Sequence, residues 1–120
     1  MENNNFGQVK ISNDVVATIA GLAALEVEGV ETNTTFTDKL LKNNGVKIQI
    51  EEEEVNLDVM VMIEYGVSIP DIAFKIQENV KNTVETMTGL NVSQVNIHVQ
   101  GISFKKEKAE KDEAKQVKKS

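Results

Sequence analysis

The residues best suited to metal binding or proton transfer are a single histidine, His98, and four consecutive glutamates, Glu51–Glu54. A zinc site draws its ligands from several histidine, cysteine or carboxylate side chains, but this sequence has one histidine and no cysteine. A calcium loop needs carboxylates at spaced positions, usually with a glycine, whereas four adjacent glutamates at a turn mostly point apart. The sequence therefore predicts no metal site and no cofactor, and the glutamate run is interpreted as a solvated turn.

Catalysis by paired acidic side chains is not indicated either. Asp14 and Asp71 stand where helices are predicted to begin, and capping explains them. Asp58 and Glu64 lie on a predicted strand, and nothing in the sequence fixes a catalytic separation between carboxylates. The neighbours expected beside His98 are amides and methionines rather than a nucleophile. We therefore predict that the chain is not an enzyme. The alternative, an enzyme with an unrecognised active site, would need a cleft with titratable groups of strongly shifted pKa.

The distribution of charge argues against a dedicated nucleic-acid binder. The 120 residues carry a net charge of −6, and all thirteen basic residues are lysine. Residues 105–120 hold seven lysines and four acidic residues, a net of +3, which leaves −9 on the rest of the chain. An acidic body repels phosphate, and the arginine fork that grips phosphate is missing. An RNA- or ribosome-associated binding module is the alternative function, motivated by the lysine-rich tail and the small αββαβ layout.

Hydropathy indicates where the chain resides. No apolar run approaches the ~20 residues that a membrane-spanning helix needs. The polar, acidic N-terminus does not resemble a secretory signal, and the lack of cysteine suits a reducing compartment. We expect a cytoplasmic protein with no direct membrane insertion, so that any membrane association is peripheral and goes through a partner.

Hydrophobic periodicity predicts two amphipathic helices and three or four strands. Ser12 caps the first helix, at about 13–26, and the second helix runs between its cap, Ser68, and its glycine stop, Gly89. Alternating apolar residues on both sides of the glutamate turn predict an antiparallel hairpin. The predicted strands are residues 7–11, 46–51, 55–63 and 92–102.

These elements predict the fold class and the domain organisation. The order β-α-β-β-α-β favours an α+β domain, in which two amphipathic helices pack on one face of a small, largely antiparallel sheet. The length suits a single domain, placed at residues 7–104. Residues 1–6 are predicted to be a disordered leader and residues 105–120 a charged, flexible tail.

The sheet face turned away from the helices is the candidate binding surface. Five side chains are predicted to lie on or beside it: Met60, Met62, His98, Ile102 and Phe104. Methionine adapts its shape to different partners, so an uncovered face of this kind favours protein binding. The first strand, the 31–45 loop or the tail could instead cover the face, and homo-oligomerisation is another way to cover it. Phe74, on the outer side of the second helix, is a further candidate contact.

Several short segments, spread over about residues 7–104, follow one another in a recognisable order and spacing. They are Gly7–Ser12, Val15–Ala24, Glu28–Val30, Gly45–Ile48, Tyr65–Pro70, Ile72–Ala73 with Gln77 and Val80, and Val95–Ile102. Together these segments resemble the alkaline shock or envelope stress response protein family of Gram-positive bacteria.

The resemblance implies a cytoplasmic α+β domain without known catalysis that is abundant under envelope or alkaline stress. In some relatives a separate anchor protein holds the domain near the membrane. Ser68–Pro70 and Val95–Val99 look most like a branch linked to the control of acetyl-CoA carboxylase and fatty-acid synthesis. The partners implied are therefore a membrane anchor protein or carboxylase subunits, and the family supplies no catalytic residues. The lysine-rich tail departs from the family pattern, because many relatives stop soon after the last strand.

Overall fold

A computed structural model describes residues 6–32, 45–52 and 54–104, which form two helices and a three-stranded sheet. The elements in chain order are α1 (Asn13–Leu25), β1 (Val46–Glu51), β2 (Glu54–Glu64), α2 (Ile69–Thr88) and β3 (Asn91–Ser103). The α+β class is confirmed. The predicted leader, apart from its last residue, and the predicted tail lie outside the described residues.

The sheet is mixed, so the prediction of a largely antiparallel sheet is wrong. Strand β2 is central, with β1 antiparallel to it on one side and β3 parallel to it on the other. The 20-residue helix α2 returns the chain along the length of β2, so that Asn91 of β3 lies opposite Glu54 of β2. A helical crossover of this kind is the usual connection between parallel strands.

The predicted first strand is also wrong, and the order of elements is α-β-β-α-β. Residues 7–11 form no strand, and Val9 is 85% exposed, although Ile11 still packs against the core. The alternation of two apolar residues was too short to identify a strand. A single antiparallel bridge between Val30 and Ile63 extends the β1 side of the sheet instead.

The helix caps predicted from the sequence are confirmed. The Ser12 hydroxyl accepts a hydrogen bond from the Val15 N–H at 3.2 Å, and Ser68 accepts one from Asp71 at 3.5 Å. Gly89 ends α2 in the left-handed conformation, with φ of 78°, which glycine adopts without steric cost. The serines thus supply acceptors for N–H groups that have no partner in the first turn of a helix.

One face of the sheet and both helices share a single hydrophobic core. Alternate residues of β2 are fully buried on that face, and α2 contributes a stripe at helical spacing. Small residues on α1, among them Ala20, Ala23 and Ala24, are also fully or almost fully buried and let α1 pack closely. The fully buried residues of β2 are Val55, Leu57, Val59, Val61 and Ile63. We call the opposite face of the sheet the outer face.

Candidate partner-binding surface

Strand pairing brings Met60, Met62 and His98 together on the outer face. Met60 lies directly opposite His98 in the register of β2 and β3, and Met62 lies opposite Gly101. Both methionines are half-buried, and His98 is exposed. A Cβ atom at Gly101 would lie 3.0 Å from the Met62 sulfur, so the glycine leaves the room that this side chain occupies. Three of the predicted surface residues are thus neighbours.

A polar group borders the two methionines. The Asp58 carboxylate oxygen Oδ1 lies 3.2 Å from Nε2 of His98 and accepts a hydrogen bond from Asn96 Nδ2 at 3.1 Å. These hydrogen bonds, from His98 first and Asn96 second, lower the pKa of Asp58 below its usual value. The carboxylate therefore stays ionised on the outer face and orients the imidazole ring of His98.

Among the described residues, His98 and Asp58 have no neighbours that would complete a metal site. Within residues 6–32, 45–52 and 54–104, no group of three or more histidine, aspartate or glutamate side chains is placed to hold a metal ion. A second carboxylate with a shifted pKa is Glu85, which the Val92 N–H and the Lys81 ammonium group hold below its usual range. A carboxylate with a lowered pKa is a weaker base, so neither shift is of the kind that prepares a general base.

Ile102 lies on the core side of the sheet, contrary to the prediction. It is opposite the fully buried Ile63 and packs against the core. The cause is a register shift between Val61 and Met62, which leaves Gln100 as an extra residue in β3. One extra residue reverses which side chains face which side of a sheet, so the alternation that begins at His98 does not continue to Ile102.

Phe104 forms an exposed aromatic pair with Tyr65 where β2 and β3 end. Their ring centroids are 5.3 Å apart at an interplanar angle of 30°, and the side chains are 73% and 70% exposed. The Tyr65 N–H donates to the Ser103 carbonyl at 2.8 Å, which holds the two chain segments together. Tyr65 was not among the residues predicted for this surface, although a tyrosine directly after a strand was a usable signal.

Phe74 does not belong to this surface. It is 60% exposed on α2, whereas Ile72 and Ile76 of the same helix are buried in the core. Because the helix lies on the core side of the sheet, its exposed side faces away from the outer face. Phe74 is a separate exposed side chain, and its role in partner binding stays a prediction.

A buried carboxylate, Glu31, was not found by sequence reasoning. Its side chain is fully buried, and its oxygen Oε1 accepts a hydrogen bond from the Ser103 hydroxyl at 2.6 Å. Its N–H donates to the Met62 carbonyl at 2.8 Å. The residue thus reaches from the β1 side of β2 to β3 beside Met62. Nothing in the sequence distinguishes Glu31 from Glu26 and Glu28 just before it, and both of these are exposed.

Comparisons with known proteins find a matching family model and similar bacterial proteins. A family model described as alkaline shock protein 23 family, cell envelope-related function, matches residues 1–104. Protein YqhY of Bacillus subtilis (strain 168), described as uncharacterized, is 37% identical over 111 residues, which cover 86% of this chain and 82% of YqhY. A stress response regulator gls24 homolog of Streptococcus pyogenes serotype M3 is 32% identical over 110 residues, which cover 84% of this chain and 62% of that protein.

A solved structure of MamM CTD aligns with a TM-score of 0.48 at 14% identity, covering 73% of this chain and 94% of that chain. Within the described ranges, neither helix combines the length and the apolar composition needed to cross a membrane. The match to the family model spans most of the chain, including all of its described residues. The chain therefore belongs to the alkaline shock protein 23 family, which has a cell envelope-related function.

Proposed function

We propose that this chain is a non-enzymatic accessory factor of the envelope stress response that binds another protein through its outer sheet face. One observation carries the proposal: both helices contribute to a core on one face of the sheet, while Met60, Met62 and His98 adjoin on the other. A sheet face without helices needs another surface to remove its apolar side chains from water.

The composition of the outer face suits protein binding. Met60 and Met62 offer unbranched, polarizable side chains that repack against different shapes. Beside them, the Asp58–His98 pair supplies polar atoms of the kind that surround an apolar interface centre. The exposed ring of Phe104 at the end of β3 adds an aromatic group, a type enriched at interfaces.

The proposed class of partner is supported by the segments that carry the family resemblance. Val95–Val99 looks like the branch linked to acetyl-CoA carboxylase, and this segment contributes His98 to the outer face. We propose carboxylase subunits as the partner, with the chain modulating fatty-acid synthesis under envelope stress. A small membrane anchor protein is the other partner that the resemblance implies, and binding to it would hold the domain peripherally at the membrane.

The test is a pull-down and direct binding measurement with the double variant Met60→Glu, Met62→Glu. The intact chain, immobilised, is expected to recover carboxylase subunits from the native cell, and purified subunits are then titrated against each variant. Two carboxylates on the outer face should weaken binding by at least about tenfold, because a buried charge without a partner is costly. Met87→Glu is the matched control, since Met87 is 63% exposed on α2 rather than on the sheet.

The outcomes separate the alternatives. Unchanged binding of the double variant, with circular dichroism showing an intact fold, contradicts the assignment of the outer face. Equal loss in the Met87 control contradicts it as well. Recovery of an anchor protein without the carboxylase selects the other family branch. RNA recovery that declines steeply with salt and disappears when residues 105–120 are deleted supports the nucleic-acid alternative.

A further inference from the structure

The free edge of β3 is covered by α2 over its first residues. Lys81 Nζ donates to the Val92 carbonyl at 2.8 Å, and Gln77 Nε2 donates to the Val95 carbonyl at 3.0 Å. Glu85 accepts from the Val92 N–H at 2.9 Å. Side chains of the helix thus satisfy the backbone groups that β3 directs away from β2, and this covering ends at Val95.

Beyond Val95 the described residues leave the edge of β3 uncovered. The backbone groups of alternate residues in a strand point to the same side, so those of Ile97 and Val99 point away from β2, as those of Val95 do. In the part of the chain that the structure describes, they have no hydrogen-bond partner on that side. The side chains of Ile97 and Val99 are half-buried against the core, whereas Val92 and Val95 are buried.

The composition of β3 lacks the usual protection of an edge strand. Natural edge strands avoid pairing with other chains by carrying lysine, other charges or proline. From Asn91 to Ser103, β3 has no lysine, aspartate, glutamate or proline, and His98 is its only titratable side chain. The other edge strand, β1, carries Lys47 and Glu51 within six residues. An uncharged, β-branched edge is suited to pairing with another strand.

We propose that the open edge of β3 pairs antiparallel with β3 of a second copy of this chain, around a two-fold axis at His98. In this register Ile97 of one copy faces Val99 of the other, and each such pair exchanges both of its N–H···O hydrogen bonds. The strand presents no formal charge to its copy apart from the two histidines, and each of these has Asp58 of its own chain as a partner. In this register Val95 lies opposite Gly101 of the copy, beyond the register shift that follows Val99. The regular pairing is therefore confined to Ile97–Val99, and Gln77 keeps its bond to the Val95 carbonyl.

The dimer joins two three-stranded sheets into one continuous sheet with all four helices on one side. A two-fold axis perpendicular to the sheet also places both outer faces on the same side, so that the two Met60 residues flank the axis. Pairing further removes the half-buried Ile97 and Val99 from water. The inference is independent of the proposed function, because the edge is formed by backbone groups and the outer face by side chains.

The register is tested by disulfide trapping of the full-length chain, which has no cysteine of its own. In His98→Cys the two thiols meet at the axis, where residues of a non-hydrogen-bonded pair have Cα atoms about 4.5 Å apart, within disulfide range. Asn96→Cys is the matched control: it lies on the same strand and face and likewise removes one hydrogen bond to Asp58. Two residues from the axis, its Cα atoms are more than about 10 Å apart.

We expect pure His98→Cys protein to form disulfide-linked dimers at least about tenfold faster than Asn96→Cys in the same thiol buffer, at a rate that rises with concentration. Equal rates, faster trapping of Asn96→Cys, or a rate independent of concentration would overturn the proposal. Circular dichroism and thermal unfolding of both variants verify that the fold is kept. No partner protein is present, so this result and the outer-face binding test fail independently.

Discussion

The imidazole of His98 and the carboxylate of Asp58, on neighbouring strands of the sheet, are joined at 3.2 Å between Nε2 and Oδ1. Asp58 pairs in register with Asn96, so His98 reaches it diagonally across β2 and β3. Diagonal pairs of this kind are within reach of long side chains on one face of a sheet. The contact couples the strand that carries the methionines to the strand with the open edge.

The lowered pKa of Asp58 predicts how its substitution changes the pH dependence of stability. A carboxylate with a folded-state pKa below its unfolded value of 3.8 stabilises the fold above that pH. This contribution is lost as the pH falls through the lower folded-state value. Asp58→Asn should therefore lower the free energy of unfolding at pH 7 and reduce the difference between pH 7 and pH 3. The side chains of Asp58 and His98 are both more than a third exposed. We therefore expect Asp58→Asn to lower the free energy of unfolding at pH 7 by less than about 1 kcal/mol.

Urea unfolding of both proteins at the two pH values measures this effect. Glu64→Gln is the control, because Glu64 is a carboxylate on the same strand and outer face, away from His98. An Asp58→Asn protein with the wild-type pH dependence would show that the hydrogen bond contributes nothing to stability.

Gly29 should be intolerant of alanine for two separate reasons. Its φ is 103°, and a Cβ atom there would lie 2.8 Å from Cδ1 of Ile72, which is only 7% exposed. Gly66 has a similar φ of 100° but nothing within 4 Å of a Cβ atom. We expect Gly66→Ala to cost about 1–2 kcal/mol through backbone strain and Gly29→Ala to cost about 2–4 kcal/mol through strain plus overpacking. Chemical denaturation of the pair isolates the packing contribution, and equal costs would show that Ile72 moves aside.

Asn79 ties α2 to the end of α1. Its Nδ2 atom donates to the Ala23 carbonyl at 2.8 Å and lies 3.2 Å from a Glu26 carboxylate oxygen. Asn79→Ala should lower the free energy of unfolding by about 1 kcal/mol, since it removes the donor to a carbonyl near the end of α1. The control is Asn82→Ala, an exposed position on the same helix, for which we expect a much smaller change. Thermal unfolding of the two variants compares them, and an equal effect would contradict a specific role for the Asn79 contact.

The local signals of the sequence were sufficient for the helices and the hairpin. The caps at Ser12 and Ser68 and the stop at Gly89 depend on neighbouring residues, and all three are found in the structure. The parallel pairing of β3 depends on where α2 returns the chain, which no local pattern determines. Ile102 faces the core because Gln100 is an extra residue in β3, and the pairing of β3 with β2 is needed to identify that extra residue.

The candidate surface likewise could be predicted only where it depends on local pattern and not on the pairing of distant segments. Met60, Met62 and His98 alternate correctly on their own strands, so their common face followed from period-two spacing. The burial of Glu31 could not be predicted from such spacing, because it results from a bridge between distant segments, Val30 and Ile63.

Glu31 is a fully buried acidic side chain in contact with β3, so its substitution should be costly. Its Oε1 atom accepts the Ser103 hydroxyl at 2.6 Å, a distance typical of a strong O–H···O bond, and its N–H holds the Met62 carbonyl. Glu31→Ala removes a buried side chain and this hydrogen bond, so we expect a loss of about 2–4 kcal/mol in the free energy of unfolding. Glu31→Gln keeps the volume and an acceptor oxygen and should cost less.

Glu28→Ala is the matched control, because Glu28 is an exposed glutamate three residues earlier whose loss should cost little. Denaturant unfolding gives the three values, and the order Glu31→Ala, Glu31→Gln, Glu28→Ala from largest to smallest cost is the expected result. If Glu31→Ala costs no more than Glu28→Ala, the bond to Ser103 does not hold β3 to the Val30 segment. The position of Met62 would then depend on its pairing with Gly101 rather than on the buried carboxylate.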